Sequence, residues 1–384
     1  MSQDLDWRLP VCPAPPGWAL DWPALASRAS WLGRMAGVVQ DPVHHAEGDV
    51  LTHTGMVAAA LAGLDDWRRL APLDRSALFA AALLHDVSKP DCTVIEDDGS
   101  VTSRGHARKG ELRARSILWE GDGLPAAPFA VRERIARIVR HHGLPLWFLE
   151  RERPEREIIA ASQSVALADV ALIAEADVRG RICGDRQALL DRIALFREFC
   201  EEWQCLDQPR AFASDHSRFL YFQRPHMDPA YHAYDDTTFE AVMMCGLPAA
   251  GKDTWAAEHF GDWPVISLDD IRRELKVAPT DNQGAVVDLG QSRARELLRK
   301  GQRFVWNATN VTRSRRRQLI ELFAAYGARV RIVYVEAPID LILRRNGQRP
   351  GPVPSKVIFD MLARLEVPDL TEAQRVEWHV TGAA

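Results

Sequence analysis

Apolar residues recur at helical spacing through the first half of the chain, from about residue 50 to residue 203. The segment 76–88 is apolar on most faces, as a buried helix would be, and the segment 131–142 is followed by a glycine and a proline, which are helix stop signals. Helical periodicity continues over residues 161–178 and 185–204, without strand-like alternation of useful length. The pattern therefore predicts an all-α first half.

The pattern changes near residue 206. Residues 207–238 are rich in proline and aromatic side chains and are predicted to form a loop that packs on its surroundings. Strand and helix patterns then alternate: we predict strands at 239–245, 264–268, 304–306 and 330–335, and helices at 252–260, 270–276, 287–300 and 314–326. Such alternation predicts an α/β domain with a parallel sheet. The 384 residues therefore divide into two predicted domains, 1–205 and 206–384.

Composition says more about where in the cell the protein is expected than about which reaction it catalyses. The net charge of −5 gives no nucleic-acid signal for the chain as a whole, although it allows a local basic groove. The six cysteines form no Cys-x-x-Cys pair, which is typical of reduced thiols inside cells. We find no apolar signal segment and no run of 18 apolar residues, so we expect a cytoplasmic protein that does not enter a membrane.

A glycine-rich loop with the spacing G-x-x-x-x-G-K follows the predicted strand 239–245 and includes Gly246, Gly251 and Lys252. Backbone N–H groups of such a loop bind phosphate, and the lysine reaches the β- and γ-phosphates. The loop therefore predicts binding of ATP or another nucleoside triphosphate. A Ser or Thr that ligates Mg²⁺ usually follows the lysine. Here Asp253 follows it and Thr254 comes next, and the sequence leaves open which of the two serves Mg²⁺.

A carboxylate is predicted at the tip of the second strand of this half. Asp269 could accept the proton of an attacking hydroxyl, as phosphoryl transfer requires. Arg272 lies about one helical turn further and could hold a substrate phosphate. A helix cap followed by a solvated arginine would give the same pattern. Because a phosphate loop precedes them, we favour the functional interpretation.

Four motifs in this order resemble the 5′-hydroxyl polynucleotide kinase family, at residues 246–254, 267–275, 307–310 and 344–349. The resemblance implies that Asp269 is the general base, that Arg272 binds the phosphate of the acceptor nucleotide, and that Arg345 and Arg349 hold the phosphates of ATP. Asn307 departs from family members that have Asp there, so we assign it no catalytic role. The basic cluster at residues 313–317 is either a solvated helix face or a contact for a nucleic-acid backbone.

Seven of the twelve histidines lie between residues 44 and 142. A buried ionised Asp is costly unless it is paired or bound to metal, and imidazole with carboxylate suits divalent transition metals. The order of the residues resembles the HD phosphohydrolase superfamily, an all-α metal-dependent fold. The resemblance implies one or two ions such as Mn²⁺, Ni²⁺ or Co²⁺, held by His53, His85, Asp86, His106, His141, His142 and Asp169.

Two residues of this half keep alternative interpretations. Asp177 is either a rival of Asp169 as the last ligand or a substrate-side residue with Arg179 and Arg181, and we prefer Asp169 as the ligand because its neighbours are expected to be more buried. Lys89 is either a contact for the leaving phosphate or a cation at a helix end.

The order of the two halves resembles bacterial end-healing enzymes in which an HD domain precedes a polynucleotide kinase. That resemblance implies an ATP- and Mg²⁺-dependent kinase for 5′-OH ends of RNA or DNA, joined to a phosphoesterase for 2′,3′-cyclic phosphate, 2′-phosphate or 3′-phosphate ends, with a nucleic-acid ligase as a functional partner. A nucleoside kinase fused to a nucleotidase for free nucleotides is the first alternative. A non-catalytic ATP-binding regulator is the second, and it would not need a base such as Asp269.

Overall fold

The computed structural model describes residues 6–278, 281–349 and 351–382. The chain divides into two compact units, Met1–Ala211 and Phe212–Ala384. The first unit is helical, and the second is an α/β unit with a parallel sheet, so the predicted fold class is confirmed.

Packed helices and one small hairpin build the first unit. The elements are α1 Trp22–Ala26, α2 Ser30–Gly33, α3 Val50–Gly63, α4 Asp65–Arg68, α5 Pro72–Leu84, β1 Val94–Ile95, β2 Val101–Thr102, α6 His106–Glu120, α7 Phe129–His141, α8 Leu144–Trp147, α9 Pro154–Ser162, α10 Leu167–Arg179 and α11 Arg186–Glu202. The pair β1 and β2 is antiparallel. The sequence pattern did not predict this pair, because two-residue strands are too short to show alternation.

Helix α5 contributes a continuous buried run to the helical core. Its residues Ser76–Leu84 are all buried, which matches the apolar pattern on most of its faces. The helix ends at Leu84, one residue before His85, whereas the sequence predicted that it continues to residue 88. The predicted helix 161–178 is also interrupted, because α9 and α10 meet at a bend of 110°.

The bend between α9 and α10 also bears on whether these helices could span a membrane. Among the described residues, no single helix is long and apolar enough to cross a bilayer, and only the bent pair of α9 and α10 passes on combined length and composition.

The second unit alternates strands and helices around its sheet. The elements are α12 Asp215–Gln223, β3 Phe239–Cys245, α13 Lys252–Phe260, β4 Val265–Ser267, α14 Leu268–Glu274, α15 Gly284–Arg299, β5 Phe304–Asn307, α16 Arg313–Ala324, β6 Ala328–Glu336, α17 Ile339–Gln348, α18 Ser355–Leu362 and β7 Arg375–Val380. Helix α12 lies inside the segment that the sequence predicted as loop.

The sheet has the strand order β4-β5-β3-β6-β7, and all neighbouring strands are parallel. Strand β3 lies in its middle and is buried from Ala241 onward, so its residues form one apolar run. Val242, Met244 and Val333 pack against Phe260 of α13. Because the carboxyl ends of parallel strands meet at one edge, the residues after β3, β4 and β5 are brought close together.

Candidate active sites

Five helices of the first unit supply imidazole and carboxylate groups to one cleft. His53 lies in α3, His85 and Asp86 follow α5, His106 begins α6, His142 follows α7, and Asp177 lies in α10. The close approach of α10 to α3 depends on Gly180, because a Cβ there would lie 2.7 Å from the backbone nitrogen of Val57. Helix ends and helix packing therefore gather residues that are distant in sequence.

The Asp86 carboxylate lies between two pairs of histidines. Its Oδ2 is 3.2 Å from His85 Nε2 and 3.8 Å from His53 Nε2. Its Oδ1 is 3.5 Å from His106 Nε2 and 3.9 Å from His142 Nε2. Within each group of Asp86 and two histidines, the donor atoms lie within 4.8 Å of one another. The geometry therefore forms two neighbouring donor groups that share one carboxylate.

The other ring nitrogen of three of these histidines faces a backbone carbonyl three residues earlier. The Nδ1–O distances are 2.7 Å for His85, 2.7 Å for His106 and 2.8 Å for His142. A neutral imidazole that donates through Nδ1 keeps a lone pair on Nε2. Nevertheless, His85 Nε2 lies 3.4 Å from His53 Nε2, and His106 Nε2 lies 3.3 Å from His142 Nε2. Lone pairs that face each other this closely call for a cation, so these residues fit a metal.

Asp86 is almost fully buried, and its Oδ1 has no hydrogen-bond donor within the part of the chain that the structure describes. Burial raises the pKa of Asp86, but Lys89 and His85 outweigh that effect and hold the pKa well below its ordinary value. Lys89 Nζ lies 2.8 Å from Asp86 Oδ2 and donates to Gln40 Oε1 at 2.7 Å. The carboxylate is therefore ionised and has one oxygen left for a cation.

Asp177 takes the position for which the sequence analysis preferred Asp169. Asp177 Oδ1 lies 3.1 Å from His53 Nε2, whereas Asp169 Oδ2 accepts a hydrogen bond from Arg134 Nε at 2.8 Å. The two carboxylates are eight residues apart on α10, which corresponds to about 12 Å along the helix axis. Only one of them can reach the cleft, and the preference for Asp169 is corrected to Asp177.

His141 lines the cleft, but it belongs to neither donor group of the described residues. It is the last residue of α7, while His142 follows the helix. Neighbouring residues on a helix point about 100° apart, so the His-His pair places one ring in a donor group and the other along the wall of the cleft.

Glu47 was missed by the sequence analysis. Its Oε1 lies 2.8 Å from His45 Nδ1 and 2.7 Å from His53 Nδ1, and its Oε2 accepts the backbone N–H of Ile182 at 2.9 Å. Burial raises the pKa of Glu47, but these hydrogen bonds lower it to about 2. An ionised Glu47 orients both imidazoles, as carboxylates do behind metal-bound histidines. One acidic residue in a histidine-rich stretch was the only available signal.

The phosphate loop of the second unit joins β3 to α13. Gly246 has a φ of 140°, and a Cβ there would lie 2.2 Å from the carbonyl oxygen of Val335. Gly251 precedes α13 with a φ of 107°. Both positions therefore require glycine. Lys252 is buried and its Nζ donates to Leu247 O at 2.8 Å, inside the loop that would surround the phosphates.

Asp269 lies in the first turn of α14, directly after β4. Arg272 donates a hydrogen bond to its Oδ1, and Arg349 Nη2 lies 3.6 Å from its Oδ2. Burial raises the pKa of Asp269, but Arg272 outweighs that effect and the pKa is lowered. Arg345 and Arg349 line the same cleft as Lys252. The residues that the sequence predicted for the kinase site are thus brought together, with an ionised carboxylate among cations.

Part of the basic cluster at residues 313–317 has a structural role that the sequence analysis did not consider. Arg316 is fully buried and donates to both oxygens of Glu372, at 2.7 and 2.8 Å. Arg313 pairs with Asp369. These arginines attach α16 to the segment before β7, so the cluster is neither a fully solvated face nor a fully available nucleic-acid contact.

Two family models match the chain. The HD domain model matches residues 50–172, and an AAA domain model matches residues 242–368. The L-seryl-tRNA(Sec) kinase of Methanococcus maripaludis is 26% identical over 134 residues, which cover 33% of this chain and 52% of that protein. The chain thus spans about half the length of this curated relative.

The solved structures that match part of the chain include a candidate kinase from Chloroflexus aurantiacus, with 16% identity, a TM-score of 0.32, and coverage of 38% of this chain and 89% of that chain. A sugar kinase from Janibacter gives 17% identity, a TM-score of 0.29, and coverage of 37% and 86%. The two family models and the archaeal relative agree with the geometry that an HD domain precedes a P-loop kinase-like domain, and together they support a phosphotransferase and a hydrolase in one chain.

Proposed function

We propose that this chain, with its HD domain followed by a P-loop kinase-like domain, prepares nucleic-acid ends for joining. The kinase unit phosphorylates 5′-OH ends with ATP, and the HD unit removes 2′,3′-cyclic phosphate, 2′-phosphate or 3′-phosphate ends. The observation that carries the proposal is the coexistence of two sites: a base among phosphate-binding cations in one unit, and two histidine pairs around Asp86 in the other.

In the kinase unit, each predicted residue has a defined task. Lys252, Arg345 and Arg349 hold the phosphates of the nucleotide, because permanent or buried cations match phosphoryl oxygens. Asp269 Oδ2 accepts the proton of the attacking hydroxyl, and Arg272 holds Asp269 in place and binds the phosphate next to that hydroxyl. Arg272 Nε also donates to Gln283 Oε1 at 2.8 Å, which orients the guanidinium.

In the HD unit, His53, His85, Asp86 and Asp177 would hold one ion, and Asp86, His106 and His142 a second. A bound divalent ion supplies an acidified water as nucleophile. Lys89 and Arg181 line the cleft and place positive charge where a phosphate would lie. Glu47 holds His45 and His53 in a single orientation.

The wall of the HD cleft supports a nucleotide as substrate. The cleft has a volume of about 460 Å³ and is lined on one side by Arg140, Arg151 and Trp147. The Trp147 side chain is 44% exposed, and Arg192 lies 5.5 Å from its ring centroid. An exposed aromatic ring beside cations is suited to stack a base and pair with phosphates of a strand. A free phosphate has no base to stack on the ring of Trp147.

The free-nucleotide alternative predicts a different acceptor. The similar archaeal kinase is named for a hydroxyl carried on an RNA, which favours an RNA-borne acceptor over a free nucleoside here. A 5′-phosphate together with free 2′,3′-hydroxyls is what a nucleic-acid ligase requires, so a ligase is the proposed functional partner.

The experiment is to incubate the protein with an oligonucleotide that has a 5′-OH and a 2′,3′-cyclic phosphate, with ATP, Mg²⁺ and Mn²⁺, and to map both ends by mass spectrometry. We expect a gain of one phosphate at the 5′ end and loss of the 3′-terminal phosphate. A DNA strand with a 5′-OH and a 3′-phosphate is tested beside the RNA strand, because deoxyribose cannot carry a 2′,3′-cyclic phosphate, and the comparison defines the substrate class. Phosphorylation of mononucleosides as efficient as that of the oligonucleotide would overturn the proposal in favour of free nucleotides.

A further inference from the structure

Asp253 and Asn307 form a direct contact beside the phosphate loop. Asn307 Nδ2 donates a hydrogen bond to Asp253 Oδ1 at 2.6 Å. Asp253 follows Lys252 in the first turn of α13, and Asn307 is the last residue of β5, which lies next to β3 in the sheet. Asn307 is 9% exposed, and Asp253 is exposed to the cleft.

In most phosphate-loop proteins the carboxylate and the neutral side chain stand at these two positions in the reverse order. In phosphate-loop proteins the residue after the lysine is a Ser or Thr whose hydroxyl ligates Mg²⁺, and a neighbouring strand supplies an Asp. Here the carboxylate is on the loop and the neutral donor is on the strand. The pair still carries one carboxylate, but the carboxylate and its neutral partner have changed places.

Carboxylate oxygen is a ligand that Mg²⁺ prefers, whereas the carboxamide of Asn307 uses its N–H to hold Asp253. That hydrogen bond engages Oδ1 and not Oδ2, and Asp253 lines the same cleft as Lys252 and Arg349. The N-terminus of α13 stabilises a negative charge at this position. One exchange of roles thus accounts for both departures from the usual motif: Asp253 in place of Ser or Thr on the loop, and Asn307 in place of Asp on the strand.

We propose that Asp253 is the Mg²⁺ ligand of the kinase site and that Asn307 positions its carboxylate, with the usual roles of loop and strand exchanged. The proposal rests on the proposed kinase function, but it concerns the nucleotide and its metal and not the acceptor. It therefore stands or falls independently of the nucleic-acid substrate.

The test is an exchange of the two side chains, with ATP binding measured by calorimetry in Mg²⁺ and in EDTA. We expect Asp253→Ala, which leaves no ligand at this position, to reduce the gain in ATP affinity that Mg²⁺ provides by roughly 10–100-fold. Asn307→Asp should weaken ATP binding in EDTA, because two carboxylates then face each other and the phosphates. The double variant Asp253→Ser with Asn307→Asp restores one hydroxyl and one carboxylate and should recover the Mg²⁺ effect to within a few fold of the unaltered chain.

Matched variants separate the possible outcomes. Asp262→Ser removes an exposed carboxylate near the end of α13 that pairs with Arg303, and it should leave the Mg²⁺ effect unchanged. Loss of the Mg²⁺ effect in Thr254→Ala but not in Asp253→Ala would overturn the proposal in favour of Thr254. A double variant no better than Asp253→Ala alone would also overturn it. If the unaltered chain binds no Mg²⁺–ATP, the kinase assignment itself fails together with the exchange.

Discussion

Single residues in the HD cleft are oriented by partners outside it. The carbonyl oxygens behind His85, His106 and His142 and the Glu47 carboxylate behind His53 set which ring nitrogen faces the cleft. Because each ring is held by a second contact, the donor groups are organised before an ion binds. Replacement of one residue of the set should therefore alter metal affinity more than fold stability.

Asp177 and Asp169 allow the sharpest comparison at this scale. Asp177→Asn should lower the affinity for Mn²⁺ by about 10–100-fold, because Asp177 lies beside His53, whereas Asp169→Asn should leave it unchanged. Calorimetric titration of both variants with Mn²⁺ measures the difference. Equal losses in the two variants would show that Asp177 does not have the role assigned to it.

Asp269 is expected to act on rate and not on nucleotide binding. Asp269→Asn keeps the shape of the side chain but removes the proton acceptor, so kcat of the kinase should fall by about 10²–10⁴-fold with little change in KM for ATP. Asp270→Asn is the matched control, because Asp270 pairs with Arg273 at the surface. Steady-state kinetics at saturating 5′-OH oligonucleotide checks this. A fall in ATP affinity without a fall in kcat would contradict the role of a base.

The sequence predicted residue types at the sites better than it predicted their contacts. The order of His53, His85, Asp86, His106 and His142 was sufficient to predict a metal cluster, because few structural reasons gather so many ionisable side chains. The choice between Asp169 and Asp177 could not be made from the sequence, because it depends on which part and which face of α10 reach the cleft. The tasks of Glu47 and Asn307 depend on contacts across 6 and 54 residues, with His53 and Asp253, that no local pattern reveals.

Helices α6 and α7 are joined by a buried network of charges. Arg115 is fully buried and pairs with Glu111 on its own helix and with Glu133 on α7, and Arg137 also pairs with Glu111. His106 and His142 lie at the ends of these two helices. The network therefore sets the distance between two residues of the HD cleft, as well as stabilising the unit.

Glu133 makes this network sensitive to acid. Burial raises the pKa of Glu133, but Arg115 and Arg132 outweigh that effect and lower it from 4.5 to about 2. The folded-state pKa is lowered, so the stabilisation is complete above about pH 4.5 and is lost as the pH falls towards about 2. Glu133→Gln should cost about 3 kcal/mol at neutral pH, and the difference from the unaltered chain should shrink over that window.

Urea unfolding followed by circular dichroism between pH 7 and pH 2.5 measures this difference. Glu202→Gln, an exposed change on α11, is the matched control and should give a small difference at every pH. A constant difference for Glu133→Gln across the whole range would contradict an ionised, paired Glu133.

At the scale of elements, the sequence predicted long segments well and short or polar ones poorly. Strand β3 was predicted with the bounds 239–245 that the structure has, because a central strand is apolar on both faces. Helix α12 was hidden among prolines and aromatic residues, and strand β7 carries the alternating polar residues of an edge. The break between α9 and α10 was missed because apolar periodicity continues across it.

The whole molecule consists of two units, each with its own complete set of candidate site residues. His53, His85, Asp86 and Asp177 all belong to Met1–Ala211, and Lys252, Asp269 and Arg349 all belong to Phe212–Ala384. Separate chemistry in one chain is therefore the expected behaviour.

This organisation predicts that the two activities can be removed one at a time. Lys252→Ala should abolish 5′ phosphorylation and leave phosphoesterase activity intact, and His85→Ala should do the reverse. Lys300→Ala and His232→Ala, both at exposed positions, are the matched controls. End mapping of the doubly modified oligonucleotide measures both activities in one assay. Loss of both activities from either variant, with circular dichroism unchanged, would show that the sites are coupled.

Because Asp86 lies between both histidine pairs, it couples metal binding at one pair to metal binding at the other. A cation bound beside His53 and His85 would share the Asp86 carboxylate with a cation bound beside His106 and His142. The metal affinity of each site therefore depends on which ion occupies the other site. When several transition metals are available in a cell, the metal occupancies of the two sites would therefore be coupled and not set independently.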